Sequence, residues 1–238
     1  MESDGIRINK FLSEAGVCSR RNADTYIDAG RVWVNGVVAE KGTKVSSKDV
    51  VTIDNKRVVQ KDKKVILAFN KPSGLVCSTR GQGAKTVLEF LQYPIPLFYV
   101  GRLDKNSEGL LLLTNDGDLA NAISKARNAH EKEYEVIINK PVTDDFLRQM
   151  AEGIPILGTM TRKCKVWRTG KNQFAIILTQ GLNRQIRRMC EYCGCRVKKL
   201  KRVRIMNIEL GNLEPGTYRE LEKEELTELQ KLLNREKK

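Results

Sequence analysis

Tyr99-Val-Gly-Arg-Leu-Asp-Lys-Asn-Ser-Glu-Gly-Leu-Leu-Leu-Leu-Thr-Asn-Asp-Gly117 is the stretch that organises the chain. Its middle is a polar loop that carries one acid, Asp104, beside Arg102, pinned by Gly101 and Gly109. Leu110 to Leu113 follow without a break. A short apolar run bounded by turn residues reads as a fully buried strand, and Asn115-Asp116-Gly117 as the turn that ends it. A carboxylate on a loop anchored to a central strand is held rigidly, as a reacting group must be. The same residue also fits a loop aspartate that caps a helix or pairs with Arg102. The residues alone leave both open.

A chain of 238 residues holds one large domain, or a large and a small one, and can bury a core without staples. The net charge of +14 and pI near 9.6 point to a polyanionic partner. Nucleic acid fits better than membrane, because no stretch approaches the length of a transmembrane helix. Met1-Glu2-Ser3-Asp4 is acidic and polar, so no signal or transit peptide is expected, and the cytoplasm is the expected location. Six cysteines follow no disulfide framework for a chain of this size, and reduced thiols are expected.

Residues 1–58 read as a module of their own. Ile8, Phe11, Leu12 and Ala15 fall at helical spacing, and Gly16 closes that helix. Ser19 caps a second helix bearing Ala23, Tyr26 and Ile27, stopped by Gly30. Asn35-Gly36, inside Val32-Trp-Val-Asn-Gly-Val-Val38, is a hairpin turn, and Val50 to Ile53 closes the module at Asp54-Asn55. Arg7, Lys10, Arg20, Arg21 and Arg31 lie on the connections. A lone surface cation is usually solvated, but Arg20 and Arg21 stand at a helix start, where free N–H groups favour phosphate. Asn55 to Lys64 is charged and nearly devoid of apolar side chains, and it provides a linker set at residues 59–64.

The second domain is set at residues 65–233, with a frayed tail at 234–238. It opens on Val65 to Phe69, a buried-strand run, and the Lys71-Pro72-Ser73-Gly74 turn. Arg80 to Ala84 reads as a flexible surface loop. Thr86 and Glu89 form a capping box. A strand follows from Glu131, with Tyr134 near its start. From pattern alone, Tyr134 is a half-buried core tyrosine. His130, the only histidine, lies in a charged connection and is expected to face solvent. A helix from Thr143 and strands at Lys163–Arg168 and Phe174–Thr179 come next, and Tyr218–Leu221 with the leucines after it suggest a last strand and a closing helix.

The densest charge lies between Arg184 and Arg204, with nine cations: Arg184, Arg187, Arg188, Arg196, Lys198, Lys199, Lys201, Arg202 and Arg204. One acid, Glu191, stands against them. Ile186, Met189, Cys190 and Cys193 fall at helical spacing beneath the arginines, which predicts one ordered basic face, a nucleic-acid footprint. Zinc is rejected at Cys190, Cys193 and Cys195 with Cys164, because Cys190 and Cys193 fit the buried helix stripe and no second knuckle exists.

Gly101-Arg-Leu-Asp104, with Ser107, Gly109 and the Leu-Leu-Leu-Thr-Asn-Asp-Gly tail, resembles the signature of the bacterial rRNA pseudouridine synthases of the RsuA family. Lys132-Glu-Tyr134 and Gln180-Gly-Leu-Asn-Arg-Gln-Ile-Arg-Arg-Met189 match two further motifs of that family, and Asn70-Lys-Pro-Ser-Gly74 its first. Leu182, where many sister enzymes carry arginine, and Arg202-Val-Arg-Ile-Met-Asn207 resemble the RluF-type branch, which modifies large-subunit rRNA. The first segment is similar to an S4 RNA-binding domain at Leu12, Ser19-Arg-Arg21, Gly30, Val34-Asn35-Gly36 and Asp49-Val-Val51.

The resemblance implies an α+β protein: a small S4-like module plus a catalytic domain on a mixed, mostly antiparallel sheet flanked by helices. It implies that a specific uridine becomes pseudouridine by base flipping, cleavage of the N1–C1′ bond and rejoining through C5. Asp104 is then the catalytic aspartate, as nucleophile or base. Tyr134 lies over the base, Ile186 buttresses it and Arg187 pairs with Asp104. Arg102 fills the space the base leaves, and Leu182 belongs to the pocket. Lys71 lies beneath the catalytic loop in a structural role. RNA contacts are expected from Arg7, Lys10, Ser19, Arg20, Arg21, Arg31, Asn35, Arg184, Arg188, Lys198, Lys199, Lys201 and Arg202. The expected partner is 23S rRNA, free or in an assembling large subunit, with tRNA as an alternative substrate. No cofactor, metal or membrane is expected, and the chain is expected to be a monomer. A non-catalytic rRNA-binding assembly factor is the reading from a different class.

Overall fold

The computed structural model describes residues 5–59, 64–78, 83–124 and 129–235. Parts of the expected linker, the Arg80–Gln82 stretch of the expected surface loop and the last three residues of the tail lie outside them. The chain divides into two compact units, one formed by Met1–Lys64, Pro94–Pro96 and Asn115–Gly117 and the other by the remainder.

In the first unit, β1 (Ile6–Arg7) leads into α1 (Ile8–Glu14) and α2 (Arg20–Asp28). The Ser19 hydroxyl accepts from the Asn22 amide at 3.2 Å, the cap that the sequence predicts. Strands β2 (Val32–Val34), β3 (Val37–Val38), β4 (Lys44–Val45), β5 (Val51–Ile53) and β6 (Lys56–Arg57) follow. β4 pairs with β1, and the others form a sheet ordered β3-β2-β5-β6. Asn35 and Gly36 both take positive φ, as a type I′ turn requires. Asp54 and Asn55 do the same between β5 and β6, so Asn55 to Arg57 belongs to this sheet although its composition is that of a linker. Ile8, Leu12, Ala23, Ile27, Val32 and Val51 make the core.

The second unit contains β7 (Ile66–Lys71), α3 (Val87–Leu91), β8 (Phe98–Val100), β9 (Glu108–Thr114), α4 (Gly117–Ser124), β10 (Lys132–Ile138) and α5 (Asp144–Glu152). It continues with β11 (Pro155–Ile156), β12 (Thr159–Met160), β13 (Lys165–Gly170), β14 (Gln173–Leu178), α6 (Gln185–Tyr192), β15 (Val197–Ile205), β16 (Ile208–Glu209), β17 (Tyr218–Glu220) and α7 (Lys223–Arg235). A nine-stranded sheet runs β13-β14-β10-β15-β9-β7-β17, with β16 on β15 and β8 on β9. Only the β9–β15 pair is parallel among these, so the fold is α+β on a mixed, mostly antiparallel sheet.

Leu110 to Leu113 of β9 are all fully buried. A strand covered on both faces reads as an unbroken apolar run rather than an alternating one. One core cluster packs α5 and α6 on β10 and β14 through Val136, Phe146, Met150, Phe174, Ile186 and Met189. A second packs α4 and α7 through Leu110, Leu112, Ile123 and Leu229.

Three expectations are corrected. His130 does not face solvent: it is 4% exposed, and Nε2 donates to the Ala122 carbonyl at 3.0 Å. That carbonyl belongs to the last turn of α4. The cations between Arg184 and Arg204 do not share one face. α6 ends at Tyr192, and on β15 alternate side chains point to opposite sides of the sheet. Arg202, expected on RNA, is 2% exposed, and its Nε donates to the Leu110 carbonyl at 2.7 Å.

Among the described residues all six cysteines are free thiols, and no group of three or more His, Cys, Asp or Glu could hold a metal ion. No described helix is long and apolar enough to cross a membrane.

Candidate active site

The loop between β8 and β9 carries Asp104. The hairpin supports it from both sides, since Val100 pairs with Leu112, and the Ser107 amide donates to the Asp104 carbonyl at 3.0 Å. Beneath it lies Lys71, completely buried. Its ammonium donates to the carbonyls of Pro72, Lys105 and Ser107 at 3.0, 3.3 and 2.8 Å. Burial lowers the Lys71 pKa, against the opposing pull of Cys77, Glu108 and Asp104. A cation tying two carbonyls of this loop to the Pro72 turn fixes the backbone on which Asp104 sits. The Gly74 amide adds a bond to the Lys105 carbonyl at 2.8 Å.

Asp104 opens into a cavity of about 120 Å³. Tyr134 from β10, Leu182 and Ile186 around the start of α6, and Arg102 line it together with Asp104. These residues come from three separated stretches of sequence. Ser107, Gln180, Arg184 and Gln185 complete the polar part of the wall. Ile186 is buried, Tyr134 and Leu182 are half-buried, and Arg102 is exposed.

Arg187 points at the same loop from α6. It is 9% exposed, and its Nη2 donates to the Asn106 carbonyl at 2.9 Å and to the Ser107 hydroxyl at 3.4 Å. Burial and the neighbouring Arg184 lower its pKa, and Asp104 raises it. Its hydrogen bonds thus go to the loop that carries Asp104, and among the described residues Asp104 acts on it through its field rather than through an ion pair.

The remaining site residues are dispersed. Arg184 and Lys198 are exposed, and Arg188 is half-buried with Nε on the Asn183 carbonyl at 3.1 Å. Lys199 pairs with Glu108 at 3.2 Å, and Lys201 is half-buried. In the first unit Arg7, Arg20 and Arg21 are exposed. Lys10 reaches Glu14 at 3.7 Å. Arg31 forks onto Asp54 and lies over the Tyr26 ring, 4.4 Å from its centroid. The Asn35 side-chain amide is spent within the unit, on Asp49 at 2.8 Å and the Val50 amide at 2.9 Å.

Two wall residues stand in the Gln180–Met189 motif without a role read for them there. Gln180 has a buried Nε2 with no hydrogen-bond partner among the described residues. Gln185 accepts from the Leu182 amide at 3.0 Å, closing the turn that presents Leu182.

Residues 65–192 match the family model of RNA pseudouridylate synthase. The chain belongs to the RNA pseudouridylate synthase family. It isomerises uridine in RNA. Residues 6–51 match the S4 domain. The dual-specificity RNA pseudouridine synthase RluF of Escherichia coli strain K12 is 46% identical over 98% of this chain and 81% of its own length. An uncharacterized RNA pseudouridine synthase of Aquifex aeolicus is 41% identical over 94% of this chain and 93% of its own. A crystal structure of a pseudouridylate synthase, 30% identical, superposes with a TM-score of 0.69 over 95% of this chain and 99% of that one. The synthase fold and the S4 match agree with what the motifs around Asp104, Tyr134 and Arg187 imply.

Proposed function

We propose that Asp104 is the catalytic carboxylate of this synthase, that Tyr134 stacks on the target uracil and that Arg187 holds the catalytic loop. The observation that carries this is the single small cavity lined by Asp104, Tyr134, Leu182, Ile186 and Arg102. The cavity's volume is of the same order as the roughly 150 Å³ that takes one benzene ring, the scale of a single base. A uridine within a helix must be extruded to enter, at a cost of about a few kcal/mol. Arg102, exposed at the rim, fills the space the base leaves. Ile186 packs against Tyr134, and Asp104 acts at C1′ as nucleophile or base.

The substrate is 23S rRNA, free or in an assembling large subunit, with tRNA as a second substrate. The RluF-type motifs support the first, and the dual specificity in the relatives' name fits the second. Residues 1–58 dock RNA through its backbone, tethered by residues 59–64 to the catalytic domain at 65–233. The protein works as a cytoplasmic monomer.

Primer-extension mapping of carbodiimide-treated 23S, 16S and tRNA tests the substrate and the role of Asp104 in cells lacking the protein, complemented with wild type or Asp104→Asn. One 23S stop and one tRNA stop vanish on deletion and return with wild type only. A full set of stops after deletion, with no redundant enzyme present, removes the substrate assignment, and restoration by Asp104→Asn takes the catalytic role from Asp104.

A further inference from the structure

Arg202 is buried where its sequence context predicts a surface cation, and the cause is a slip in the sheet. Along β10, Glu133 faces Arg204 but Tyr134 faces Arg202, so Val203 is an extra residue on β15. A bulge re-aims side chains beside active sites. Here it sends the two arginines to opposite faces. Arg204 joins Glu131 and Glu133 at 3.0 and 2.9 Å. Arg202 goes to the Tyr134 face, with its guanidinium carbon 6.0 Å from the ring centroid.

Arg204 has two carboxylates, whereas Arg202 forms no salt bridge among the described residues. One of its nitrogens, Nη2, is buried without a hydrogen-bond partner among them. Lys132, two residues before Tyr134 on β10, adds a second cation on this face and donates to the His130 carbonyl at 3.2 Å. Burial, and then Arg202, lower the Lys132 pKa to about 8. An uncompensated buried cation costs stability, so a buried Arg202 with a half-buried Lys132 beside the same tyrosine calls for a use.

We infer that Arg202, aided by Lys132, is a positioning and electrostatic residue that stabilises negative charge on the uracil stacked over Tyr134. The inference rests on the site assignment proposed above. When the N1–C1′ bond breaks, its electron pair stays on uracil, giving an anion spread over N1, O2 and O4. C5 of that anion then bonds to C1′, the C5 proton departs and N1 takes up a proton. The product is an isomer and no co-reactant enters. Fixed cations aimed at charge that develops only in the transition state accelerate such a step.

The test compares two RNAs of one sequence, carrying uridine or 5-fluorouridine at the mapped position, in single-turnover loss of the N-glycoside. Fluorine draws electron density from the ring, so its anion departs with less help. Arg202→Met should slow the uridine RNA at least tenfold with RNA affinity within threefold, and slow the 5-fluorouridine RNA at least threefold less. Arg202→Lys, which keeps the charge, should recover part of the rate. Equal slowing of both RNAs, or no slowing, overturns the inference. Should Arg202→Met lose its cooperative urea transition, Lys132→Met provides the same comparison. Failure of the wild-type protein to turn over the uridine RNA would sink the site assignment instead.

Discussion

Gly109 and Arg202 meet backbone to backbone: a Cβ on Gly109 would fall 2.2 Å from the Arg202 carbonyl oxygen. They are register partners where β9 and β15 run parallel, and Gly109 has a φ of +96°. Gly109→Ala therefore meets a clash that backbone cannot relieve and a conformation that side chains avoid. Overpacking costs about 1–3 kcal/mol and a strained φ about 1–3 more. Urea unfolding should show a stability decrease of about 2–5 kcal/mol, and turnover should fall, because Asp104 hangs from the same strand.

Lys132 gives a pH signature. Its folded pKa of about 8 lies below the ordinary value of 10.5. Between those pH values the unfolded chain binds more protons than the folded one, so stability rises as pH increases. Below the folded pKa the buried charge is a full cost. Unfolding free energies from urea titrations between pH 8 and 10 should climb in wild type relative to Lys132→Met, by an amount on the order of 1–2 kcal/mol. A wild-type curve parallel to that of the variant would mean that the ammonium is solvated.

Local grammar makes much of the fold legible. The turn at Asn35-Gly36, the caps at Ser19 and Thr86 and the leucines at 110–113 all depend on neighbours within a few residues. Asp104, Tyr134 and Ile186 are legible as site residues because they stand in long motifs. Arg202 is not, since its burial depends on a one-residue slip between β10 and β15 that leaves no mark in either strand. His130 escapes a local reading because its charged neighbours point to solvent, while the carbonyl that holds it belongs to α4, eight residues earlier.

The S4-like unit should contribute affinity rather than chemistry. Arg20 and Arg21 form the exposed first turn of α2 and make no ion pair among the described residues. Replacing both with serine should weaken RNA binding and reduce the slope of log affinity against log salt by about 2, one for each phosphate no longer neutralised. The single-turnover rate at saturating protein should stay within twofold. A slope that does not change would move the phosphate grip elsewhere.

Arg187 separates holding the loop from holding the RNA. One nitrogen, Nη2, donates to both the Asn106 carbonyl and the Ser107 hydroxyl on the loop that carries Asp104. A lysine keeps the charge, but its flexible stem carries a compact ammonium in place of the rigid planar guanidinium that aims Nη2 at the loop. With Arg187→Lys the loop loses a tether while the exposed cations of the RNA surface remain. The single-turnover rate at saturating protein should drop by about 100-fold, on the order of 2.7 kcal/mol, while RNA affinity changes less than threefold. A fall in affinity alone would make Arg187 part of the RNA grip. A drop in rate matched by an equal fall in unfolding free energy at Arg187→Lys, with the urea transition broadened, would reduce it to packing under α6. A slower rate with stability held is what a guanidinium that sets the aim of Asp104 must give.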